Sequence, residues 1–367
     1  MNNRHLLFAL HQLPGIGWKT IQRLVSRFET LDDMRTLEPR EWTQFGFTPG
    51  RAGQMSSALR ELSERTLEDW LARYEREGIR WLTVWDADYP ALLKETADPP
   101  WIIYGKGDFS LSGRLCIALV GTRTPTVYGK LTAERLGESL ANAGICVVSG
   151  LARGIDSLSH EGALRGKGGT IAVLGCGLDT VYPPENKALF HRVAEQGLLL
   201  SEYPLGTLPR AGLFPQRNRI IAGLSVGVVV VEAALQSGSL ITANLALDYS
   251  RDVFAIPGPI HSAKSQGTLK LIKDGAKMVT SPDDIMEEYT SRIASEHSAY
   301  IKDTKETLGV MAEDERKIYE LLESGPKTID QLLGQSQFNF GHLHAVLINL
   351  LMMRRIVELP GSAYTIP

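Results

Sequence analysis

Cysteine is scarce in this chain: three among 367 residues, Cys116, Cys146 and Cys176. Each lies inside an apolar run and none forms a Cys-x-x-Cys pair, which excludes a disulfide framework and a cysteine-rich metal site. Long hydrophobic runs are missing too. No stretch reaches the ~18–20 apolar residues of a membrane span. The N-terminal MNNRHLLFALHQLPG is too short and too interrupted in its apolar part for a signal peptide. A cytoplasmic protein without a membrane partner is the expectation. Positive charge is not in excess either: 39 Lys and Arg face 42 Asp and Glu, a net charge of −3. Any nucleic-acid binding therefore has to rest on a local basic patch.

Catalytic signatures are as sparse. There is no Gly-x-Ser-x-Gly elbow, no His-Glu-x-x-His and no Gly-x-Gly-x-x-Gly after the first apolar strand. The run from Gly162 to Gly168 only superficially resembles a Walker loop, being one residue short and lacking a hydroxyl after Lys167. No catalytic residue, metal or cofactor is expected.

What is present is a change of periodicity along the chain. Residues 1–65 read as short helices, and Leu13-Pro14-Gly15-Ile16-Gly17-Trp18-Lys19-Thr20 reads as a helix-hairpin-helix turn. From residue 114, LCIALV, ICVVSG, TIAVLG, LLLSE, VGVVVVE and DVFAIP are short apolar runs without alternation, as in strands covered on both faces. Helical patterns lie between most of them, which predicts an α/β doubly wound, mostly parallel sheet. This core is expected over 80–287, with a polar linker over 288–312 after it. The tail, 313–367, has the helix–helix–helix–hairpin order of a winged helix, with Pro360-Gly361 at the hairpin turn.

In such a sheet, ligands bind beyond the carboxyl ends of the strands, where strand order reverses. The loop after the first run offers Gly121, Thr122 and Arg123; the loop after the second offers Ser149, Gly150 and Arg153, with Asp156 as a possible helix cap. His160, four residues on, reads as a structural histidine. The segment from Tyr203 to Arg219 has no acidic residue and carries Arg210, Phe214, Arg217 and Arg219, arginines for phosphates beside a ring for a base. A strand order of 3-2-1-4-5 would set it across from Arg123. Ser237-Gly238-Ser239 opens a helix and suits either a phosphate or simple N-capping.

In order, GTRTPTVYG, SGLARGID…H, TIAVLGCGLD…YP, LLSEYPLGT, FPQRNRIIAGLS, VVVEAALQSGSLITANLA and VFAIPGP resemble the DNA-processing protein A (Smf) family. The resemblance implies a Rossmann-like core with a small helix-hairpin-helix (SAM-like) domain before it and a winged helix after it. It also implies cooperative binding of single-stranded DNA, a homodimer, and transfer of the strand to the RecA recombinase in transformation. Arg123, Phe214, Arg217 and Arg219 match its DNA-contacting positions, with Ser237 and Gly238 nearby. Two departures stand out: Thr122 replaces the usual serine, and Gly169 stands where members often have a lysine, with Lys167 two residues earlier. The alternative is a nucleotide-binding enzyme cleaving an N-glycosidic bond, with Glu232 serving the chemistry. For the homodimer, the segment from Gly267 to Gly275 is expected to be a helix at the sheet edge presenting Leu269, Leu271 and Ile272.

Overall fold

The computed structural model describes residues 2–290, 313–352, 355–359 and 363–366. It divides into two compact units, Met1–Ile293 and Ala294–Pro367.

The first unit is built on a sheet of nine strands: β1 (Arg80–Thr83), β2 (Ile102–Gly107), β3 (Cys116–Val120), β4 (Cys146–Ser149), β5 (Thr170–Leu174), β6 (Leu198–Ser201), β7 (Gly227–Val230), β8 (Asp252–Ala255) and β9 (Lys277–Met278). Their spatial order is β1-β2-β6-β5-β4-β3-β7-β8-β9. β2 pairs antiparallel with β1 and β6; every other pairing is parallel. The apolar runs are strands because both faces are covered. Ile117 and Leu119 point into one core cluster, while Cys116, Ala118 and Val120 point into the other.

The order corrects the sequence expectation. The fourth run, β6, lies beyond the third rather than across from it, so the reversal falls between β3 and β7. Two connections decide this. The helix Lys187–Gln196 returns the chain to lay β6 beside β5, and the helix Leu213–Leu224 then carries it back over the sheet to β7, beside β3. That second helix starts above the carboxyl ends of the strands, so the arginine-rich segment still reaches the reversal point.

The N-terminal helices begin at recognisable caps: Asn2 accepts the His5 N–H, Ser63 accepts the Thr66 N–H, and Pro39 and Pro49 occupy first turns. Their apolar faces do not form a core of their own. Leu6, Phe8, Trp42 and Leu59 share one cluster with Tyr104, Leu174 and Leu199 of the sheet. The hairpin turn docks through Trp18, whose Nε1 donates to the Pro99 carbonyl oxygen at 2.6 Å. Tyr289, within the expected linker, is buried in the core with its hydroxyl 2.6 Å from the Asp252 carboxylate; residues 291–312 of that linker lie outside the described residues.

The helix Gln266–Lys273 also departs from expectation. Leu271 is only 9 % exposed and belongs to the core under the sheet, and Ile272 packs against the same cluster. Leu271 is thus a core residue, because β8 and its neighbours turn the helix's apolar side inward; Leu269 stays half-buried. The second unit has helices Glu313–Leu322, Ile329–Ser336 and Phe340–Met352 with a three-stranded sheet, around a core including Ile318, Leu332, Leu347 and Tyr364. This is a winged-helix arrangement; the Pro360-Gly361 turn lies outside the described residues. Among the described residues no helix is long and apolar enough to cross a membrane.

His160 is wholly buried. Its Nδ1 lies 2.7 Å from Thr170 Oγ1, whose hydroxyl donates to Val147, and its Nε2 accepts the Leu151 N–H at 3.3 Å. These partners select the neutral ring with its proton on Nδ1, and burial pushes its pKa down to about 3. Burial likewise brings His11, against the Tyr104 hydroxyl, down to about 4. Unfolded, both would titrate near ~6.5. Their contribution to stability is therefore full above that value and declines as pH falls towards the folded values. The thermal midpoint should drop between about pH 7 and about pH 5, less so in His11→Gln. A midpoint equally pH-independent in both proteins would contradict this.

Candidate nucleic-acid interface

At the β3/β7 reversal lies a cavity of about 650 Å³. It is enclosed by the loop after β3, the start of the helix Leu213–Leu224 and the N-terminus of the helix Gly238–Asp248. Gly121, Thr122, Arg123, Asp156, Tyr182, Phe214, Arg217, Ser237, Gly238 and Ser239 all line it. The structure thus gathers into one place residues from four sequence-predicted loops.

Arg217 is the buried cation of the site, only 4 % exposed. Of its five N–H donors, Nη1 donates to the Val173 carbonyl oxygen at 2.7 Å, and Nε is buried without an acceptor among the described residues. Gly150 makes the position possible: a Cβ there would fall 1.7 Å from Arg217 Nη1. Burial lowers the Arg217 pKa, with Asp156 acting in the opposite sense; a guanidinium still remains charged. Asp156 is itself buried, its pKa raised by desolvation against the pull of Arg217. Its carboxylate accepts the N–H groups of Gly150 (3.1 Å) and Ala152 (3.4 Å). The loop after β4 is therefore occupied from within by Asp156 and does not offer those amides to a ligand. The same loop holds Leu151 at a left-handed φ of 52°, pinned by His160.

Phe214 provides the aromatic surface. Its ring stacks on Tyr182, centroids 5.2 Å apart at 27°, and the Arg123 guanidinium carbon lies 5.7 Å from its centroid. Gly175 leaves room for it, since a Cβ would come within 2.9 Å of the ring. Arg123 is exposed. Ser237 caps its helix by accepting the Ser239 N–H, and the two hydroxyls are 2.8 Å apart. Gly238 has nothing within 4 Å of a built Cβ.

Other sequence candidates lie elsewhere. Arg219 and Arg210 line a neighbouring groove of about 1150 Å³, whose far wall is the hairpin turn from Pro14 to Lys19. There Arg219 is committed to Glu202 (2.5 Å) and Asp98 (3.3 Å), both partners 11 % exposed in the Glu202 pair. Burial raises the Glu202 pKa, and Arg219 opposes the rise. Arg153 pairs with Glu185 on the surface, and the buried Ser149 hydroxyl donates to the Leu119 carbonyl oxygen at 2.6 Å. Lys167, like Gly169, precedes β5, at the opposite end of the parallel strands from the cavity, and is not among the residues lining it. Glu232 accepts both the Thr126 N–H (2.9 Å) and the Thr126 hydroxyl (2.5 Å), which fixes the start of the helix Val127–Asn142. Among the described residues no group of His, Cys, Asp and Glu could hold a metal ion. Tyr182 is an aromatic lining residue that reading loops one by one does not reveal; its sequence signal is the Tyr-Pro-Pro beyond the loop that follows β5.

The family pattern described as DNA recombination-mediator protein A matches residues 80–290, and that of the DprA winged helix domain matches 303–362. The chain belongs to this family. It is 34 % identical to Protein Smf of Synechocystis sp., over 97 % of both chains. It is 45 % identical to the DNA processing protein DprA of Bacillus subtilis, over 60 % of this chain and 75 % of the relative. Among solved structures, DNA processing protein A from Streptococcus pneumoniae aligns with a TM-score of 0.67 at 35 % identity, covering 78 % of this chain and 99 % of that one. The DNA processing protein A from Helicobacter pylori, solved for its single-stranded DNA binding mode, aligns with a TM-score of 0.53 at 34 % identity, covering 58 % of this chain and 97 % of that one.

Within this family fold the two arginines of the Gln-Arg-Asn-Arg run should behave differently from Arg123. Arg219→Ala strands a buried Glu202 and is expected to cost about 3 kcal/mol of stability. Arg123→Ala, at an exposed position, should change stability by less than about 0.5 kcal/mol. Denaturant titration measures both, and equal losses would contradict the assignment of Arg219 to the fold.

Proposed function

We infer that this chain binds single-stranded DNA without catalysis, protects the strand and helps load the RecA recombinase on it. The observation that carries this reading is a buried guanidinium with spare donors, Arg217, beside the Phe214–Tyr182 stack, with exposed Arg123 at the rim. A strand presents a regular run of phosphates and a stackable base face, and these groups suit both without reading sequence. The Helicobacter pylori relative, described by its single-stranded DNA binding mode, supports the same choice. An N-glycosidase reading is disfavoured because both Glu232 oxygens are engaged by Thr126. A homodimer and RecA delivery belong to the proposal by family resemblance; self-association then has to use residues other than Leu271.

Arg217 is reached only because residue 150 has no side chain. Gly150→Ala should displace the guanidinium and weaken strand binding, and Arg123→Ala should weaken it and flatten the plot of log K against log salt by about 0.7 per phosphate released. Phe214→Ala should cost about 1–3 kcal/mol of affinity and leave that slope unchanged. Fluorescence anisotropy with labelled single-stranded and duplex oligonucleotides tests all three. Parental affinity in every variant, or a preference for duplex, would refute the site.

A further inference from the structure

Arg123 lines a second recess besides the cavity. This crevice, about 520 Å³, is bounded by Arg123, Thr124, Lys130, Gly154, Ser157 and Lys264, and among the described residues no carboxylate lines it. Lys264 comes from the loop after β8; it is half-buried and donates to the Thr124 carbonyl oxygen, which uses one of its three ammonium donors. Lys130 is exposed in the first turn of the helix Val127–Asn142. A cation there opposes the helix dipole, so the helix gains nothing from it. Its i,i+4 neighbour Glu134, the usual intrahelical partner, is taken by Arg165 instead. Among the described residues Arg123, Lys130 and Lys264 enter no ion pair. Three unpaired cations around one carboxylate-free recess, in a chain of net charge −3, form a local basic patch of the kind a polyanion needs.

We propose that a strand leaving the cavity passes Arg123 into this crevice, where Lys130 and Lys264 each take one backbone phosphate. The proposal rests on the single-strand reading above and extends the bound length beyond the aromatic stack.

The test is a salt series with oligothymidylates of increasing length, on the full chain and on Lys130→Gln/Lys264→Gln. In the parent, affinity and salt slope should rise with length as the crevice fills. In the double variant the slope on long oligonucleotides should be flatter by about 1.4, two phosphates at about 0.7 each. Lys130→Gln alone, at an exposed position, should lose about half of that and guards against a folding defect in the pair. A double variant with the parental slope on long strands overturns the proposal. So does an equal flattening on the shortest oligonucleotide that binds, because the lysines would then act at the cavity. No binding of any single strand by the parent overturns the strand reading itself, and this extension with it.

Discussion

A guanidinium buried at the ends of parallel strands is the constraint around which this site is arranged. Arg217 can lie there only because three things coincide. The helix Leu213–Leu224 crosses the sheet instead of returning beside β6, so its first turns stand over β5, β4 and β3. Gly150 follows β4 without a side chain, where a Cβ would overlap the guanidinium. Asp156 folds back on the same loop, engaging the Gly150 and Ala152 amides and placing a carboxylate near the charge. Taking an ion out of water is costly unless it is paired and hydrogen-bonded, and here the pairing is incomplete. An incoming phosphate or base oxygen would complete it, which ties the folding problem to the binding one.

The strands are legible in sequence because each is covered on both faces and so reads as an unbroken apolar run. Their order is not. Pairing partners are decided by the crossovers, and nothing local in Leu198–Ser201 says whether it lies beside β5 or across the sheet. The site is legible at the level of loops for the same reason that the fold class is: in a parallel sheet the segments after the strands converge. Within a loop the sequence says less. Arg217 and Arg219 look equivalent in sequence, but two residues on a helix turn about 200°. One faces Val173 and the cavity, the other Glu202 and Asp98. Leu271 departs from expectation by a similar route, since an apolar helix side at a sheet edge can turn inward as easily as outward.

The N-terminal helices show how a composition-based boundary and a packing boundary differ. Residues 1–65 differ in periodicity from the strand-bearing segment, yet Phe8 packs on Tyr74, Trp81 and Tyr104, and Trp18 docks against Pro99 and Trp101. The hairpin turn is thereby held as one wall of the groove that contains Arg210 and Arg219. Gly15 at φ 81° is closed off by Arg51, whose Nη2 would lie 1.5 Å from a Cβ there. In this chain the hairpin turn is packed against the core.

In the proposed complex a single strand enters at the β3/β7 reversal and meets Arg217. The decisive measurement is a crystal structure of the full chain with a short oligothymidylate. An oxygen of the strand is expected within hydrogen-bonding distance of both Arg123 and Arg217, with a base against the Phe214 ring. A strand seated wholly on the winged-helix unit or on the N-terminal helices, with the cavity free of it, would refute strand binding at this site.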